Sequence, residues 1–197
     1  MLQFLIDENN TLYSVPEQCQ MALEGGCGWI ELRASTMAQG ELRDVGIILA
    51  NLCKESQAIL TITDNIELAK DLGVHGICLS LDSGYNAGEV RESLGPEAII
   101  GVEVDNVEAI KSLKDKDIDY IVLPEYVEEH DKSQFVARVR EIGIDIPIVF
   151  CGNYGLDNVL SALSQGASGV LTGSRIMNAA DPVEYMREML NRIQNSH

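Results

Sequence analysis

The order of apolar and polar positions along the chain predicts a series of repeating βα units. Continuous apolar runs rich in Ile, Val and Leu recur at roughly 20–25-residue spacing, and each precedes a segment with the period of an amphipathic helix. Continuous apolar runs are typical of parallel strands that are buried on both faces. The predicted strands are Leu2–Ile6, Trp29–Leu32, Ala58–Ile62, Gly76–Leu79, Ala98–Val102, Asp119–Leu123, Ile146–Phe150 and Gly169–Leu171. The predicted helices are Glu17–Leu23, Gly40–Glu55, Asn65–Leu72, Ala87–Leu94, Val107–Leu113, Ser133–Ile142, Leu156–Gln165 and Pro182–Ile193.

This strict alternation predicts an α/β fold with parallel strands and right-handed crossovers. An open doubly wound sheet is one solution, but eight units of equal size favour closure into a (β/α)8 TIM barrel. Because no linker or change of composition interrupts the chain, we expect one domain over residues 1–197. In such a barrel the active site lies at the C-terminal ends of the strands, so the candidate residues are sought there.

Composition narrows the range of partners. The formal charge of −17 disfavours nucleic acid and anionic membranes, and it requires local positive charge or a metal if the ligand is a small phosphorylated substrate. No apolar run reaches about 18 residues, and the N-terminus lacks the features of a signal peptide. The five cysteines are scattered, which indicates reduced thiols in a cytoplasmic protein and argues against a zinc site. A homo-oligomer is compatible with the sequence, which does not fix the oligomeric state.

Two glycine-bearing turns follow the last two predicted strands. Gly152 and Asn153 follow the seventh strand, and Gly173 and Ser174 follow the eighth. Backbone N–H groups and a helix N-terminus at such turns suit a phosphate, and paired turns of this kind form the usual phosphate site of a (β/α)8 barrel. The alternative is that the glycines only permit tight turns.

Charged residues at other strand ends suggest further chemistry. Arg33 suits a phosphate or pyrophosphate, although a structural salt bridge with Glu31 or Asp7 is an equal alternative. Asp64 and Asp82 end neighbouring strands and suit Mg²⁺, with a helix N-cap for Asp64 and a turn for Asp82 as alternatives. His130, in the loop after the sixth strand, is either a proton carrier or a solvated loop residue.

At these residues the chain resembles the thiamine phosphate synthase family, including its thiazole tautomerase relatives. WIELRAS (Trp29–Ser35) resembles the family's V-x-x-x-Q-L-R-x-K, and TITDNIELAKDLGVHGICLSLD (Thr61–Asp82) resembles its I-I-N-D-x-x-x-L-A-x-x-x-G-A-D-G-V-H-L-G-Q-x-D. IDYIVLPEYVEEHDK resembles A-D-Y-x-x-x-G-P-x-x-x-T-x-T-K, and GASGVLTGSRIMNAADP resembles G-A-x-G-V-A-V-x-S-A-I-x-x-A-x-D-P. The last of these segments is the most specific match.

The resemblance implies a (β/α)8 barrel that joins a hydroxymethylpyrimidine pyrophosphate to a thiazole phosphate with release of pyrophosphate, assisted by Mg²⁺. It implies that Arg33 and Lys132 bind the pyrophosphate and that Asp64 and Asp82 bind Mg²⁺. It also implies that the turns at Gly152, Gly173 and Ser174 bind the thiazole phosphate.

Several departures from the family pattern keep alternatives open. Glu31 stands in place of Gln, Ser35 in place of Lys, Thr63 in place of Asn and Glu103 in place of Ser, while Lys132 comes one position late. These changes place carboxylates near the expected pyrophosphate. Two other hypotheses are therefore a non-catalytic barrel that binds a thiazole phosphate or thiamine phosphate, and a barrel enzyme with another small phosphorylated substrate.

Overall fold

The computed structural model describes residues 1–113 and 117–196, and at residues 111–113, 129 and 130 it describes the backbone alone. In the described ranges eight parallel strands close a barrel in the order of the sequence, and β8 pairs with β1. The strands are β1 (Leu2–Asp7), β2 (Trp29–Arg33), β3 (Ile59–Thr63), β4 (Gly76–Leu79), β5 (Ile99–Glu103), β6 (Tyr120–Leu123), β7 (Ile148–Cys151) and β8 (Gly169–Thr172). The predicted TIM barrel is confirmed.

Helices follow the strands and cover the outside of the barrel. They are α1 (Val15–Glu24), α2 (Gln39–Glu55), α3 (Ile66–Leu72), α4 (Ala87–Leu94), α5 (Val107–Leu113), α6 (Glu129–Glu141), α7 (Val159–Ser164), α8 (Ser174–Met177) and α9 (Pro182–Gln194). The short α8 was not predicted as a separate helix. Asp181 caps the last helix, since its carboxylate accepts from the Glu184 N–H at 3.0 Å. No helix in these ranges is both long and apolar enough to span a bilayer.

Two predicted boundaries are wrong for identifiable reasons. Helix α6 begins at Glu129, four residues before the predicted start at Ser133, so Lys132 lies in its first turn and not in a loop. The negative charges of Glu128 and Asp131 interact favourably with the positive end of the helix dipole, which stabilises this earlier start. Strand β7 begins at Ile148, after Pro147, because proline has no N–H to donate to the ladder.

A small apolar cluster fills the barrel, separate from the larger core between the strands and the helices. Its buried members are Cys78, Tyr120, Val122, Val149, Cys151 and Leu171. The Tyr120 ring packs edge-on against Trp29, with centroids 5.3 Å apart. A Cβ on Gly101 would lie 2.1 Å from that ring, so only glycine leaves room for it. This packing closes the lower part of the barrel and leaves the C-terminal ends of the strands as the open mouth.

Candidate active site

A cavity of about 790 Å³ opens at the C-terminal ends of the strands. The end of β1 (Asp7) and the end of β2 (Arg33) form one side, and the turns after β7 and β8 (Gly152 and Gly173) form the other. The cavity therefore joins the arginine and the two glycine turns that the sequence singled out.

The turn after β8 depends on a close backbone approach. A Cβ on Gly173 would lie 2.0 Å from the Leu5 carbonyl oxygen, so a larger residue would push β1 and β8 apart. Helix α8 starts at the next residue, Ser174, and the first N–H groups of a helix have no acceptor within it. Ser174 and Arg175 both line the cavity, so this helix start faces the space where a ligand would lie.

The turn after β7 is held to the turn after β8. The Thr172 hydroxyl donates to the Tyr154 carbonyl at 3.0 Å, and the Gly152 N–H donates to the Leu171 carbonyl at 3.1 Å. The Gly152 N–H is thus engaged within the sheet, contrary to the expectation of a free donor there. Asn153, which is exposed and lines the cavity, is the polar residue that this turn presents.

Arg33 is held by two carboxylates of this chain. Its Nη2 atom lies 3.1 Å from Glu31 Oε1 and 2.5 Å from Glu103 Oε1. Glu31 is fully buried and also accepts from the Thr63 hydroxyl at 3.0 Å. The Arg33 side chain is 31% exposed and lines the cavity, and its Nε is buried without a partner among the described residues. Arg33 therefore forms the predicted salt bridge with Glu31 and still exposes part of its side chain to the cavity.

Burial and charge act in opposite directions on this cluster. Loss of water raises the pKa of Glu31, and the nearby Arg33 guanidinium and the Thr63 hydroxyl offset only part of that rise. Burial by itself lowers the pKa of Arg33, but the charges of Glu31 and Glu103 outweigh it and raise that pKa. Burial also raises the pKa of Cys151 to about 12, so this neighbouring thiol stays neutral.

Glu8 organises the loop that follows Arg33, and no pattern in the sequence indicates this role. Its carboxylate accepts from the N–H groups of Ser35 at 2.8 Å, Thr36 at 3.0 Å and Met37 at 3.0 Å. Ser35, which stands where the resembling family has lysine, also donates its hydroxyl to Glu8 at 3.2 Å. A third carboxylate of the chain thus occupies donors at the rim of the cavity, besides Glu31 and Glu103 on Arg33.

The two aspartates predicted to bind Mg²⁺ differ in their surroundings. Both oxygens of Asp64 accept hydrogen bonds from Ser80, from its N–H at 2.8 Å and from its hydroxyl at 2.5 Å. Asp64 has a φ of 58°, in the left-handed region that aspartate tolerates better than most residues. The cap of α3 is Asn65, which accepts from the Leu68 N–H at 3.0 Å, so the N-cap alternative for Asp64 is wrong. Asp82 is exposed in the turn after β4.

Lys132 is buried, with 2% of the residue exposed, and is absent from the described lining of the cavity. Its Nζ donates to the Tyr154 hydroxyl at 2.9 Å and lies over the Phe150 and Tyr154 rings. Contact with a pyrophosphate would require the side chain to leave this position. The side chain of His130 lies outside the described residues.

Two further side chains line the cavity beside the β8 turn. The Nη1 atom of Arg175 lies 2.7 Å from the Asp157 carboxylate, and the hydrogen bond that Arg175 donates to this carboxylate raises the pKa of Arg175. The hydroxyl of Tyr185 accepts from the Leu156 N–H at 3.1 Å. Arg175 directly follows Ser174 in the sequence, and that adjacency was a usable signal. Tyr185 lies on α9, and its approach to the site follows only from the packing of that helix.

The fold and the position of the cavity define the class of (β/α)8-barrel proteins whose site opens at the C-terminal ends of the strands. A sequence model described as thiamine monophosphate synthase matches residues 2–176. The chain belongs to that family.

Curated relatives agree with this assignment over nearly the whole chain. The chain is 33% identical to the thiamine-phosphate synthase of Bacteroides fragilis, covering 96% of this chain and 98% of the relative. It is 30% identical to the thiamine-phosphate synthase of Bacillus velezensis, covering 98% and 90%. The structure of a thiamine phosphate pyrophosphorylase from Pyrococcus furiosus superposes with a TM-score of 0.85 at 23% identity, covering 99% and 96%, which supports the fold.

Proposed function

We propose that the chain forms thiamine phosphate from a hydroxymethylpyrimidine pyrophosphate and a thiazole phosphate. The observation that carries the proposal is the single cavity that has the β7 and β8 turns on one side and Arg33 on the other. Such a cavity offers two turns that suit a monophosphate and one arginine that suits a pyrophosphate, as a reaction between two such substrates requires. Family membership supports the same reaction.

In this proposal the thiazole phosphate binds at the turns. Gly173 keeps the space beside Leu5 open, the start of α8 at Ser174 supplies N–H donors, and Asn153 adds an amide from the β7 turn. Arg175 lies at the same end of the cavity and adds positive charge. These groups hold the phosphate so that the ring nitrogen of the thiazole faces Arg33 and the second substrate.

The pyrophosphate lies on the side of Arg33, whose exposed part lines the cavity and is available to one phosphate group. The direct role predicted for Lys132 stays a prediction. We propose instead that Lys132 supports the β7 turn. Its Nζ donates to the Tyr154 hydroxyl, and the carbonyl of the same Tyr154 accepts from the Thr172 hydroxyl. This role keeps the turn in place without contact with the substrate.

Mg²⁺ belongs to the proposal as a partner of the pyrophosphate. Among the described residues no group of three or more His, Cys, Asp or Glu side chains can hold a metal on its own. Mg²⁺ commonly takes one or two carboxylates and completes its shell with water and phosphate oxygens. The proposal therefore assigns the ion to Asp64 and Asp82, which lie outside the described cavity lining. When bound, the ion would neutralise charge on the leaving pyrophosphate.

A second candidate function is supported by the pairing of Arg33 with Glu31 and Glu103. A barrel in which the arginine is already neutralised can bind one phosphate at the β7 and β8 turns without transferring a pyrimidine group. Thiamine phosphate, a thiazole phosphate or another small phosphorylated molecule is the ligand in that case. The proposed cytoplasmic location and the proposed lack of a nucleic-acid partner are common to both candidates.

The test is release of pyrophosphate when both substrates and Mg²⁺ are supplied. We expect release that depends on both substrates and that falls at least about a hundredfold in Asp64→Asn, because loss of one carboxylate weakens the metal. The exposed Asp145→Asn, between α6 and β7 and outside the cavity lining, serves as the matched control. No release, together with binding of thiamine phosphate, would favour the second candidate.

A further inference from the structure

One nitrogen of Arg33 carries both of its ion pairs. Nη2 donates to Glu31 Oε1 and to Glu103 Oε1, which come from β2 and β5 on different sides of the barrel. The remaining exposed part of the guanidinium lines the cavity. Any anion that reaches Arg33 from the cavity therefore becomes the third negative group around one positive charge. Like charges this close oppose one another unless one of them is neutralised.

Glu31 is the group best placed to be neutralised. It is fully buried, and its Oε2 has no hydrogen-bond partner among the described residues. Its Oε1 already accepts from the Thr63 hydroxyl and from Arg33. A proton on Oε2 would thus leave both existing hydrogen bonds intact. Burial raises the pKa of Glu31, which brings this proton closer to neutral pH.

The other titratable groups that face the cluster do not compete for this proton. Cys78 on β4, Tyr120 on β6 and Cys151 on β7 all have pKa values that burial raises, so they are neutral already. Glu103 on β5 makes the short 2.5 Å contact with Arg33 and is 8% exposed. Glu125, after β6, is exposed to water and lines the cavity from its rim.

We propose that Glu31 and Glu103 are specificity-determining residues that compete with a pyrophosphate for Arg33. Binding of pyrophosphate is then coupled to uptake of a proton by Glu31, whereas a single phosphate at the β7 and β8 turns binds without it. The inference rests on the proposed function in that it places the pyrophosphate at Arg33. It makes the site selective for a monophosphate at alkaline pH and open to a pyrophosphate at lower pH.

The experiment is calorimetric titration of inorganic pyrophosphate, and separately of inorganic phosphate, into the full chain. The variants are Glu31→Gln and Glu103→Gln, which keep the shape of each side chain. The exposed Glu188→Gln makes the same change in net charge on α9, away from the cavity lining, and serves as the control. Each titration is run at about pH 6 and about pH 8 in two buffers of different ionisation enthalpy, which gives the number of protons taken up.

We expect wild type to take up more protons per pyrophosphate than Glu31→Gln. At about pH 8 the Glu31→Gln and Glu103→Gln variants should bind pyrophosphate about tenfold more tightly than wild type, which equals about 1.4 kcal/mol. At about pH 6 this gain should shrink. Inorganic phosphate should bind wild type, Glu31→Gln and Glu188→Gln alike, because it binds at the β7 and β8 turns. Proton changes of the ligand itself are the same for every variant, so they cancel when proton uptake is compared.

Equal proton uptake and equal pyrophosphate affinity in wild type and both variants would overturn the proposal, as would no pyrophosphate binding by any of them. Circular dichroism and thermal unfolding check that each variant is folded, and the two independent variants guard against one that is not. A failure to form thiamine phosphate would count against the proposed function alone, because these titrations contain neither organic substrate.

Discussion

Arg33 on β2 donates to Glu103 on β5 at 2.5 Å, across the mouth of the barrel and over 70 positions of sequence. Arg33 also contacts the fully buried Glu31, so this one cation pairs with two carboxylates. Removing one member of a largely buried ion pair leaves uncompensated charge, which costs far more than the pair itself contributes.

Arg33→Met should therefore destabilise the protein by about 3 kcal/mol, measured as the free energy of unfolding in urea. The matched control is Arg187→Met, because Arg187 and its partner Glu184 are about half exposed, 50% and 52%. An exposed pair contributes less than about 1 kcal/mol. Equal losses in the two variants would show that the Arg33 cluster is not a buried charge network.

Glu31→Gln should change how stability depends on pH. A carboxyl group whose pKa is raised on folding stabilises the native state below its unfolded value of 4.5, and this contribution is lost as pH rises through the folded pKa. Wild type should thus lose stability relative to Glu31→Gln as pH increases above 4.5. Urea unfolding across that range measures the difference, and a difference that stays constant with pH would contradict the pKa shift.

Gly173→Ala should damage both the fold and the phosphate site. The added Cβ would meet the Leu5 carbonyl oxygen at 2.0 Å, and overpacking of this kind costs about 1–3 kcal/mol. Separation of β1 and β8 would also move the start of α8, so the affinity for thiamine phosphate should fall at least about tenfold. Gly28→Ala is the control, since its Cβ would meet nothing within 4 Å. Tight binding by Gly173→Ala would remove this turn from the proposed site.

Lys132→Met distinguishes a supporting role from direct contact with pyrophosphate. If the lysine supports the β7 turn through Tyr154, the variant should lose about 1–3 kcal/mol of stability and bind both phosphate and pyrophosphate less well. Tyr154→Phe, which removes the acceptor hydroxyl, should change stability in the same direction. Loss of pyrophosphate affinity alone, with stability and phosphate affinity intact, would restore the direct role predicted from the sequence.

Glu8→Ala should free the loop after β2. The carboxylate accepts from the N–H groups of Ser35, Thr36 and Met37, so these amides should exchange with solvent at least about tenfold faster in the variant. Glu17→Ala, which removes a capping carboxylate on α1, should leave their exchange unchanged. Slow exchange in Glu8→Ala would mean that other contacts hold the loop.

The fold was predictable because its signals are local and repeated. Each strand is a continuous apolar run followed by a helix of the right period, and eight such units of equal size favour the closed barrel over an open doubly wound sheet. The errors fall where local signals compete. Acidic residues extended α6 toward Glu129, and Pro147 delayed β7.

Several residues of the candidate site were predictable from the sequence, but most of the ion pairs and hydrogen bonds between them were not. Strand ends identified Arg33 and the glycine turns as neighbours, since the topology alone brings β2, β7 and β8 to one mouth. The partners of Arg33 depend on side-chain reach across the barrel, as the contact to Glu103 shows. The hold of Glu8 on residues 35–37 depends on the path of a loop, which no periodic pattern specifies.

The most direct test of the account is calorimetric titration of thiamine phosphate into the wild-type chain, alone and with Mg²⁺ and pyrophosphate. We predict micromolar binding, about −8 kcal/mol, that Mg²⁺ and pyrophosphate together strengthen. If Mg²⁺ and pyrophosphate leave the affinity unchanged, the cavity binds only one phosphate group, at the β7 and β8 turns. No binding under either condition would contradict the central claim that this cavity is built for thiamine phosphate and its precursors.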